Sequence, residues 1–296
     1  MPCYCNAFYD PVTLDGKVYV RTNTTILEFT PDTVTCVELP DPPVKNYSMT
    51  SLNGHLVAIG GVEKSSGNAT NRINVWDGKL QTWIHHYPPM PTVRSSAGCA
   101  SYKHYVIVIG GIPFASSKFL STVEVLDSTS MMWYSAPSTP CKGCNAVPVI
   151  IGHDLYVLLN DHGSSRTLMQ VSLPTLISQA TSEKSTRSQI WKRLPDTPLF
   201  ATSLFSIGNM LLMAGGNTDP SSNSVSEPTK LKLNRASADI HLFNPNIKQW
   251  VKVSELPEPR INCVCIVLPC RRLVVAGGVV GEGGRTFTIG SVMPYH

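Results

Sequence analysis

The chain has 296 residues, of which 42% are apolar and only 15% are charged, and its formal net charge is +4. The 21 glycines and 23 prolines suit many short strands joined by tight turns. Lysine and arginine form no run, and no segment reaches the roughly eighteen unbroken apolar residues of a membrane helix, so we expect neither a nucleic-acid partner nor a membrane span.

The predicted elements repeat along the chain. An apolar run ends on two glycines, a strand-like segment ending in Asp or Asn follows, and then comes a tryptophan. A proline-rich turn closes each unit, and the units recur at about fifty residues. The runs end at Gly60-Gly61, Gly110-Gly111, Gly215-Gly216 and Gly277-Gly278, and the first three are followed by Trp83, Trp133 and Trp250.

This order of elements, closed by a turn such as Met90-Pro91-Thr92-Val93-Arg94, resembles the kelch motif. In that family each repeat is one four-stranded blade of a β-propeller, and the glycines are backbone positions that need positive φ or close approach. The resemblance covers nearly the whole chain and implies an all-β fold, a six-bladed kelch-type β-propeller built as a single domain over residues 1–296. The blades are expected at about 4–40, 47–90, 95–138, 146–195, 201–257 and 262–296.

The first and last blades depart from the pattern. Arg21-Thr22 replace the two glycines of the first blade, and no tryptophan closes it. The sixth blade has three predicted strands and lacks its closing strand, which would leave backbone donors and acceptors unpaired at an open edge. Because Met1-Pro2-Cys3 aligns with Met90-Pro91-Thr92, the turn after a fourth strand, we expect a longer natural chain whose upstream strand completes this blade.

Two polar segments interrupt the repeats. Residues 178–188 have no apolar period and are expected to form a flexible loop between the third and fourth strands of the fourth blade. Residues 217–238 lie between the second and third strands of the fifth blade, on the side where kelch-like propellers usually bind partners. Loops of this length in a compact domain are usually functional or disordered.

The nine cysteines indicate reduced thiols and a cytoplasmic location, because the sequence shows no export signal. Cys141 and Cys144 have the spacing of half a zinc site or of a redox pair, but no second half matches, which favours a turn between blades. Cys263 and Cys265 lie on one side of a strand, which favours core packing.

No catalytic constellation emerges, and we expect no metal, cofactor or catalytic residue. His85-His86-Tyr87 contains residue types that a copper oxidase on a kelch-like propeller would need, but the ligands cannot be assigned. The segment Asp77–Trp83 is similar to the turn motif of sialidases but lacks its leading serine, so a structural turn is favoured. The sequence contains no nucleophile–base pair or phosphate loop at motif spacing.

A basic residue recurs in the turn before a new blade. Lys45, Arg94 and Arg260 are assigned to the same place in three repeats, and Lys142 falls within one residue of it in a fourth. The resemblance places these turns on the partner-binding face, where such cations would hold an acidic peptide by charge-assisted hydrogen bonds. The alternative is a structural cation that caps carbonyls of a neighbouring blade. The binding hypothesis predicts that Arg94→Ala and Arg260→Ala weaken binding without lowering the melting temperature.

The sequence therefore predicts a non-catalytic protein–protein interaction module with a protein partner, an acidic peptide segment in the first place. The resemblance extends to the substrate-binding part of a larger kelch protein such as a ubiquitin-ligase adaptor, although no BTB-like helical segment is present. The alternative is a propeller enzyme acting on sugars, mutarotase- or oxidase-like. It predicts buried Arg, Glu, His or Tyr side chains that point into a central channel.

Overall fold

The computed structural model describes residues 8–22, 25–30, 35–113, 118–160, 167–182, 188–200, 202–218, 236–267, 272–279 and 290–294. Within these ranges the regular structure is almost entirely β, because short β-branched and aromatic runs alternate with Gly, Asn and Pro turns. The strands form antiparallel sheets in which sequence neighbours pair.

The sheets follow one another along the chain. The first sheet contains β1 (Phe8–Leu14), β2 (Lys17–Thr22), β3 (Ile26–Thr30) and β4 (Thr35–Leu39). The short strands β5 (Val44–Lys45) and β8 (Val62–Glu63) pair with each other, and the second sheet contains β6 (Ser48–Leu52), β7 (His55–Ile59), β9 (Ile73–Asp77) and β10 (Thr82–His85). The third sheet contains β11 (Gly98–Tyr102), β12 (Tyr105–Ile109), β13 (Val123–Asp127) and β14 (Met132–Ala136).

The remaining sheets follow the same order. The fourth sheet contains β15 (Cys144–Ile151), β16 (Asp154–Asn160), β17 (Thr167–Ser172) and β18 (Lys192–Leu194). The fifth contains β19 (Ser203–Ile207), β20 (Met210–Ala214), β21 (Asp239–Asn244) and β22 (Gln249–Glu255), and the sixth contains β23 (Ile261–Val267), β24 (Arg272–Val279) and β25 (Gly290–Pro294).

The number of complete blades corrects the sequence prediction. Five sheets have four strands each and form blades, so the described residues contain five blades and not six. The sixth sheet, β23-β24-β25, has three strands, because no described segment pairs with the outer side of β25.

Contacts divide the chain into two compact units. One unit contains Met1–Leu39, His162–Leu168 and Leu194–His296, and the other contains Pro40–Asp161 and Met169–Arg193. Within the second unit, the first strands β6, β11 and β15 of successive sheets lie side by side, and within the first unit β19, β23 and β1 do. A single domain over residues 1–296 stays a prediction.

Strand β12 shows why these runs are apolar throughout and do not alternate with polar residues. Val106 and Val108 pack in a cluster with the second sheet, whereas Ile107 and Ile109 pack in a cluster with the fourth sheet. Successive side chains of a strand point to opposite faces, so a sheet covered on both faces needs an unbroken apolar run. Each such side chain contributes about 1.5–3 kcal/mol relative to an exposed one.

Tryptophans on the fourth strands, or directly before the strand in the case of Trp191, join neighbouring repeats, as the structural interpretation of Trp83 predicts. Each indole N–H donates to the carbonyl of a proline in the turn that precedes its own sheet. The pairs are Trp83 Nε1 with Pro40 O at 2.7 Å, Trp133 with Pro88 at 2.9 Å, Trp191 with Pro137 at 2.9 Å, and Trp250 with Pro195 at 3.4 Å.

The first part of the segment 178–188 is helical, which corrects the prediction of a loop. Helix α1 (Leu173–Thr181) lies between β17 and β18 and packs on β14. The helix buries one apolar stripe, formed by Leu176, Ile177 and Ala180. The predicted loop began at residue 178, so the helical spacing of these three residues was divided between two segments. Residues 183–187 lie outside the described residues. Among the described residues, no helix is long and apolar enough to cross a membrane.

Candidate functional site

The two glycines that follow β7, Gly60 and Gly61, determine how closely the turns on either side approach that strand. Gly60 has φ +63°, and a Cβ there would be 2.5 Å from Arg94 O; Gly61 has φ +103°, and a Cβ there would be 2.6 Å from Lys45 O. Any larger residue would collide with backbone, so only glycine allows the turns to approach this closely. The two glycines therefore have a structural role in the backbone, as predicted. Gly60 lies against the turn that contains Arg94, and Gly61 lies against the turn that contains Lys45.

These contacts correct the assignment of Lys45 to the place of Arg94. The first glycine of the fifth sheet, Gly215, lies against Arg260 O just as Gly60 lies against Arg94 O, so the two arginines are equivalent. Lys45 lies against the second glycine and is therefore one residue further along the turn. Val44, which is buried, takes the place of the arginine.

A ladder of left-handed residues connects three of the turns. Asn46, Ser96 and Asn145 have φ of +53°, +51° and +46°. Ser96 N donates to Asn46 O at 2.8 Å, and Asn145 N donates to Ser96 O at 2.7 Å. Asparagine is among the few residues that adopt this conformation readily. The ladder keeps the starts of β6, β11 and β15 in register, and the side chains next to it share one surface.

We call this surface, formed by residues 40–47, 62–72, 92–97 and 139–146, the link surface. Strand β5 pairs with β8, with Lys45 opposite Val62, so the loop after Gly61 is fixed beside the turn. Lys45 is exposed one residue before the ladder, and Lys142 is exposed three residues before Asn145. The structure thus brings both predicted lysines to one side of the second unit.

The acidic groups of the link surface are already neutralised. Lys64 Nζ forms an ion pair with Asp41 Oδ2, and Tyr47 Oη donates to Asp41 Oδ1 at 3.1 Å. Glu63 lies 3.8 Å from Arg72 Nη1. Among the described residues neither Lys45 nor Lys142 forms an ion pair, so this surface presents unneutralised positive charge.

Arg94 does not belong to that exposed charge. It is 1% exposed, and its Nη1 donates to Gly110 O at 2.9 Å and to Thr122 O at 3.3 Å. Its Nη2 lies 2.9 Å from Glu124 Oε2, an ionic contact in which neither atom makes a hydrogen bond within the described part of the chain. This corrects the expectation of a surface cation and favours the alternative, a structural cation that caps carbonyls.

The ion pair between Arg94 and Glu124 is buried. Burial lowers the pKa of its guanidinium, and the neighbouring Glu124 carboxylate acts in the opposite direction. Arginine remains charged under either influence. Thr92 Oγ1 donates to Glu124 Oε1 at 2.5 Å and so completes the coordination of the carboxylate. Because both charges are covered, the pair has no surface at which a substrate or partner could bind.

Arg260 is also buried, which corrects the same expectation for this residue. It is 5% exposed, and its Nη2 lies 3.2 Å from Glu258 Oε2. Its carbonyl accepts a hydrogen bond from Gly216 N at 2.7 Å. Of the four predicted cations, Lys45 and Lys142 lie at the surface. Their role in binding stays a prediction.

The cysteine and histidine candidates have packing roles in the structure. Cys263 and Cys265 are buried in an apolar cluster with Phe205 and Leu212, and the hydrogen bond that the Cys265 thiol donates to Cys263, together with burial, raises the pKa of Cys265. His85 Nδ1 lies 3.5 Å from Ile73 O. Among the described residues, no group of three or more His, Cys, Asp or Glu side chains is placed to hold a metal ion.

The long insertion 217–238 is described only at its ends. Asn217 is buried and forms bridges with Phe200 and Ala236, so the insertion leaves and rejoins the fifth sheet next to the turn at residue 200. Residues 219–235 lie outside the described residues.

Sequence reasoning missed Glu124 as the partner of Arg94. The available signal was the position of Glu124 in the interior of the apolar strand Val123–Asp127, where an unpaired charge would be costly. A buried carboxylate requires a cation, and Arg94 is the one that the turn supplies.

The fold and the link surface define a class of protein, an all-β propeller whose turns between blades carry exposed cations. A solved structure of YjhT has the same fold, with a TM-score of 0.72 and 16% identity over 97% of this chain and 93% of that one. No family model matches the sequence.

The relatives define the type of propeller. The Kelch repeat and BTB domain-containing protein 1 of Cowpox virus (strain Brighton Red) is 21% identical over 241 residues, 81% of this chain and 39% of that protein. Kelch-like protein 34 of Homo sapiens is 31% identical over 97 residues, 32% of this chain and 14% of that protein. The chain thus spans less than half the length of these relatives. Together with the blade topology, they confirm the predicted resemblance to kelch-repeat β-propellers.

Proposed function

We propose that the protein is a non-catalytic interaction module that binds an acidic segment of a partner protein on the link surface. The observation that carries the proposal is the exposure of Lys45 and Lys142 on one surface whose carboxylates are already paired. The kelch-repeat relatives support a binding role for the fold.

A direct binding measurement tests the proposal. A labelled glutamate-rich peptide is titrated with the wild-type chain and with Lys45→Glu/Lys142→Glu. We expect about tenfold weaker binding for the double variant, because two exposed ion pairs are replaced by repulsions of similar size.

The matched control is Lys79→Glu/Lys192→Glu. Both lysines are exposed in the same unit, on the turn between β9 and β10 and on β18, and the change in net charge is identical. The control should bind like wild type. Equal weakening of both double variants would mean that net charge, and not the link surface, controls binding.

The alternative class, a propeller enzyme acting on sugars, predicts a different result. In that case a panel of monosaccharides and disaccharides would raise the melting temperature, since a ligand that binds only the native state stabilises it. Stabilisation by a sugar without peptide binding would replace the interaction proposal.

We further propose that the chain is the substrate-binding part of a larger kelch protein such as a ubiquitin-ligase adaptor. The relatives whose names combine kelch repeats with a BTB domain, and which are more than twice as long as the matched region, support this role. Affinity purification of a tagged full-length form should recover ubiquitin-ligase subunits. Recovery of the acidic partner without any such subunit would argue against an adaptor.

We place this activity in the cytosol. Cys263 and Cys265, which form no disulfide, support a reducing compartment. Fractionation of cells that express the tagged full-length form tests the location, and recovery in a secretory fraction would contradict it.

A further inference from the structure

The buried pair of Arg94 and Glu124 leaves polar atoms without a hydrogen-bond partner. Arg94 is 1% exposed and Glu124 is 5% exposed. Within the described residues, Arg94 Nε, Arg94 Nη2 and Glu124 Oε2 make no hydrogen bond, although Nη2 and Oε2 lie 2.9 Å apart. The hydroxyl oxygen of Thr122 is also buried and has no partner in this part of the chain. Buried polar atoms of native proteins are nearly always paired, either with protein or with ordered water.

The four atoms lie on one face of the third sheet. Thr122 directly precedes β13 and is two residues from Glu124, so both side chains point to the same face. The Arg94 guanidinium lies beside both residues, because its Nη1 donates to Thr122 O at 3.3 Å and its Nη2 lies against Glu124. The edge of the guanidinium formed by Nε and Nη2 is therefore the one that is left without an acceptor.

The charges around this edge limit what can bind there. A cation would be repelled by Arg94, and an anion would be repelled by Glu124. An apolar molecule would leave all four polar atoms unpaired, which is costly in a buried place. The ligand must therefore be small and neutral, and it must both accept a hydrogen bond from an N–H group and donate one to a carboxylate. Water has these properties, and a buried water typically makes about three hydrogen bonds.

We propose that Arg94, Thr122 and Glu124 form a binding site for one ordered water molecule. The water accepts a hydrogen bond from Arg94 Nε and donates one to Glu124 Oε2, and it forms a third with the Thr122 hydroxyl. Such a bridge is nearly as favourable in enthalpy as a direct hydrogen bond. It joins the turn that carries Ser96, one rung of the ladder, to β13 of the sheet that follows.

The second repeat lacks the groups that form this site. Val44 takes the place of Arg94, and Asn74 on β9 takes the place of Glu124 on β13. Asn74 Nδ2 is buried and has no partner among the described residues, but neither a guanidinium nor a carboxylate belongs to its repeat at these two places. The proposed site is therefore specific to the third repeat.

Two measurements on the 296-residue chain test the proposal. A crystal structure of the wild-type chain should show a water within hydrogen-bond distance of Arg94 Nε, Thr122 Oγ1 and Glu124 Oε2. Relaxation dispersion of the oxygen-17 signal of water counts the waters that stay inside a protein in solution. Wild type should hold one long-lived water more than Arg94→Met/Glu124→Leu, which removes both charged groups of the site.

Matched variants of Thr122 test its part in the site. Thr122→Val has nearly the same shape but no hydroxyl, so the water loses one of its three partners. We expect its residence time to fall about tenfold, the effect of about one hydrogen bond. Thr122→Ser keeps the hydroxyl and should retain the water with a residence time close to that of wild type. Circular dichroism spectra like that of wild type show that both variants are folded.

Three results would overturn the proposal. The first is a crystal structure in which Glu124 binds Arg94 Nε and Nη2 directly, with no water beside them. The second is an equal number of long-lived waters in wild type and in Arg94→Met/Glu124→Leu. The third is an equal residence time in folded Thr122→Val and Thr122→Ser, which would show that the Thr122 hydroxyl does not hold the water.

Discussion

Arg94 shows how a residue assigned to the surface by its repeat position can belong to the core. The turn places it beside the carbonyls of Gly110 and Thr122, and Glu124 of β13 supplies the opposite charge. A buried ion pair contributes little net stability, but a single buried charge is costly. The structure therefore favours a role of Arg94 in folding, and its role in partner binding stays a prediction.

This position predicts a loss of stability where the binding hypothesis predicted none. Arg94→Met leaves Glu124 buried without its cation and should lower the free energy of unfolding by about 3–5 kcal/mol. Urea unfolding measures the effect, and Arg94→Met/Glu124→Leu should recover much of it.

Arg72→Met is the control for Arg94→Met, because the Arg72 side chain is 59% exposed and its ion pair with Glu63 lies at the surface. Its free energy of unfolding should change by no more than about 0.5 kcal/mol. If Arg94→Met and Arg72→Met unfold at the same urea concentration, the ion pair has no structural role.

At the scale of the element, the turns between third and fourth strands are fixed by one side-chain oxygen. Asp77 Oδ1 accepts from two backbone N–H groups at 2.8 and 3.0 Å, and Asp127 Oδ1 does so at 2.8 and 3.3 Å. Asn244 makes the same turn without a charge, at 3.0 and 3.4 Å. In the same order as the distances, the donors are Lys79 and Leu80, Thr129 and Ser130, and Asn246 and Ile247.

These turns predict a dependence of stability on pH. The hydrogen bond from Leu80 N, followed by that from Lys79 N, lowers the pKa of Asp77. Burial acts to raise the pKa of Asp127, but the bonds from Thr129 and Ser130 outweigh it and lower that pKa as well. A depressed pKa adds stability that is present above the unfolded pKa of about 3.9 and is lost as the pH falls through the folded pKa.

Urea unfolding at about pH 6 and pH 3 checks this prediction, since the two pH values lie on opposite sides of the unfolded pKa of about 3.9, and the unfolded chain therefore takes up protons at the lower one. Asp77→Asn/Asp127→Asn should lose less stability on acidification than wild type. The reciprocal variant Asn244→Asp should lose more. Equal losses in all three proteins would show that the turns do not contribute to the acid response.

At the scale of the whole molecule, the net charge of +4 is small, so attraction of an acidic partner depends on where the cations lie. Lys45 and Lys142 are exposed and are screened by salt, which acts over about 8 Å at physiological ionic strength. Affinity for the glutamate-rich peptide should therefore fall steadily as salt increases. The Lys45→Glu/Lys142→Glu variant should show a flatter salt dependence, and identical slopes would contradict a role for these lysines.

The sequence by itself determined the strands, the repeat and the residues that shape its turns. The strands depend on local periodicity, and the turns depend on residue types, such as glycine, that are found in few structural contexts. Gly60 and Gly61 at the ends of runs, Asp77 in the turn and Trp83 on the fourth strand were each assigned correctly for this reason.

Only the tertiary structure decided which residues of the turns face outward. Whether a cation is exposed depends on which side chains the fold places opposite it, and these residues are far away in sequence. Glu124 covers Arg94 in this way. The glycine contacts show that Val44, and not Lys45, is the residue equivalent to Arg94 in its repeat. Helix α1 was missed because its apolar stripe is buried on β14, an element of another repeat. Local pattern thus determined the elements, and packing between repeats decided which side chains remain available for binding.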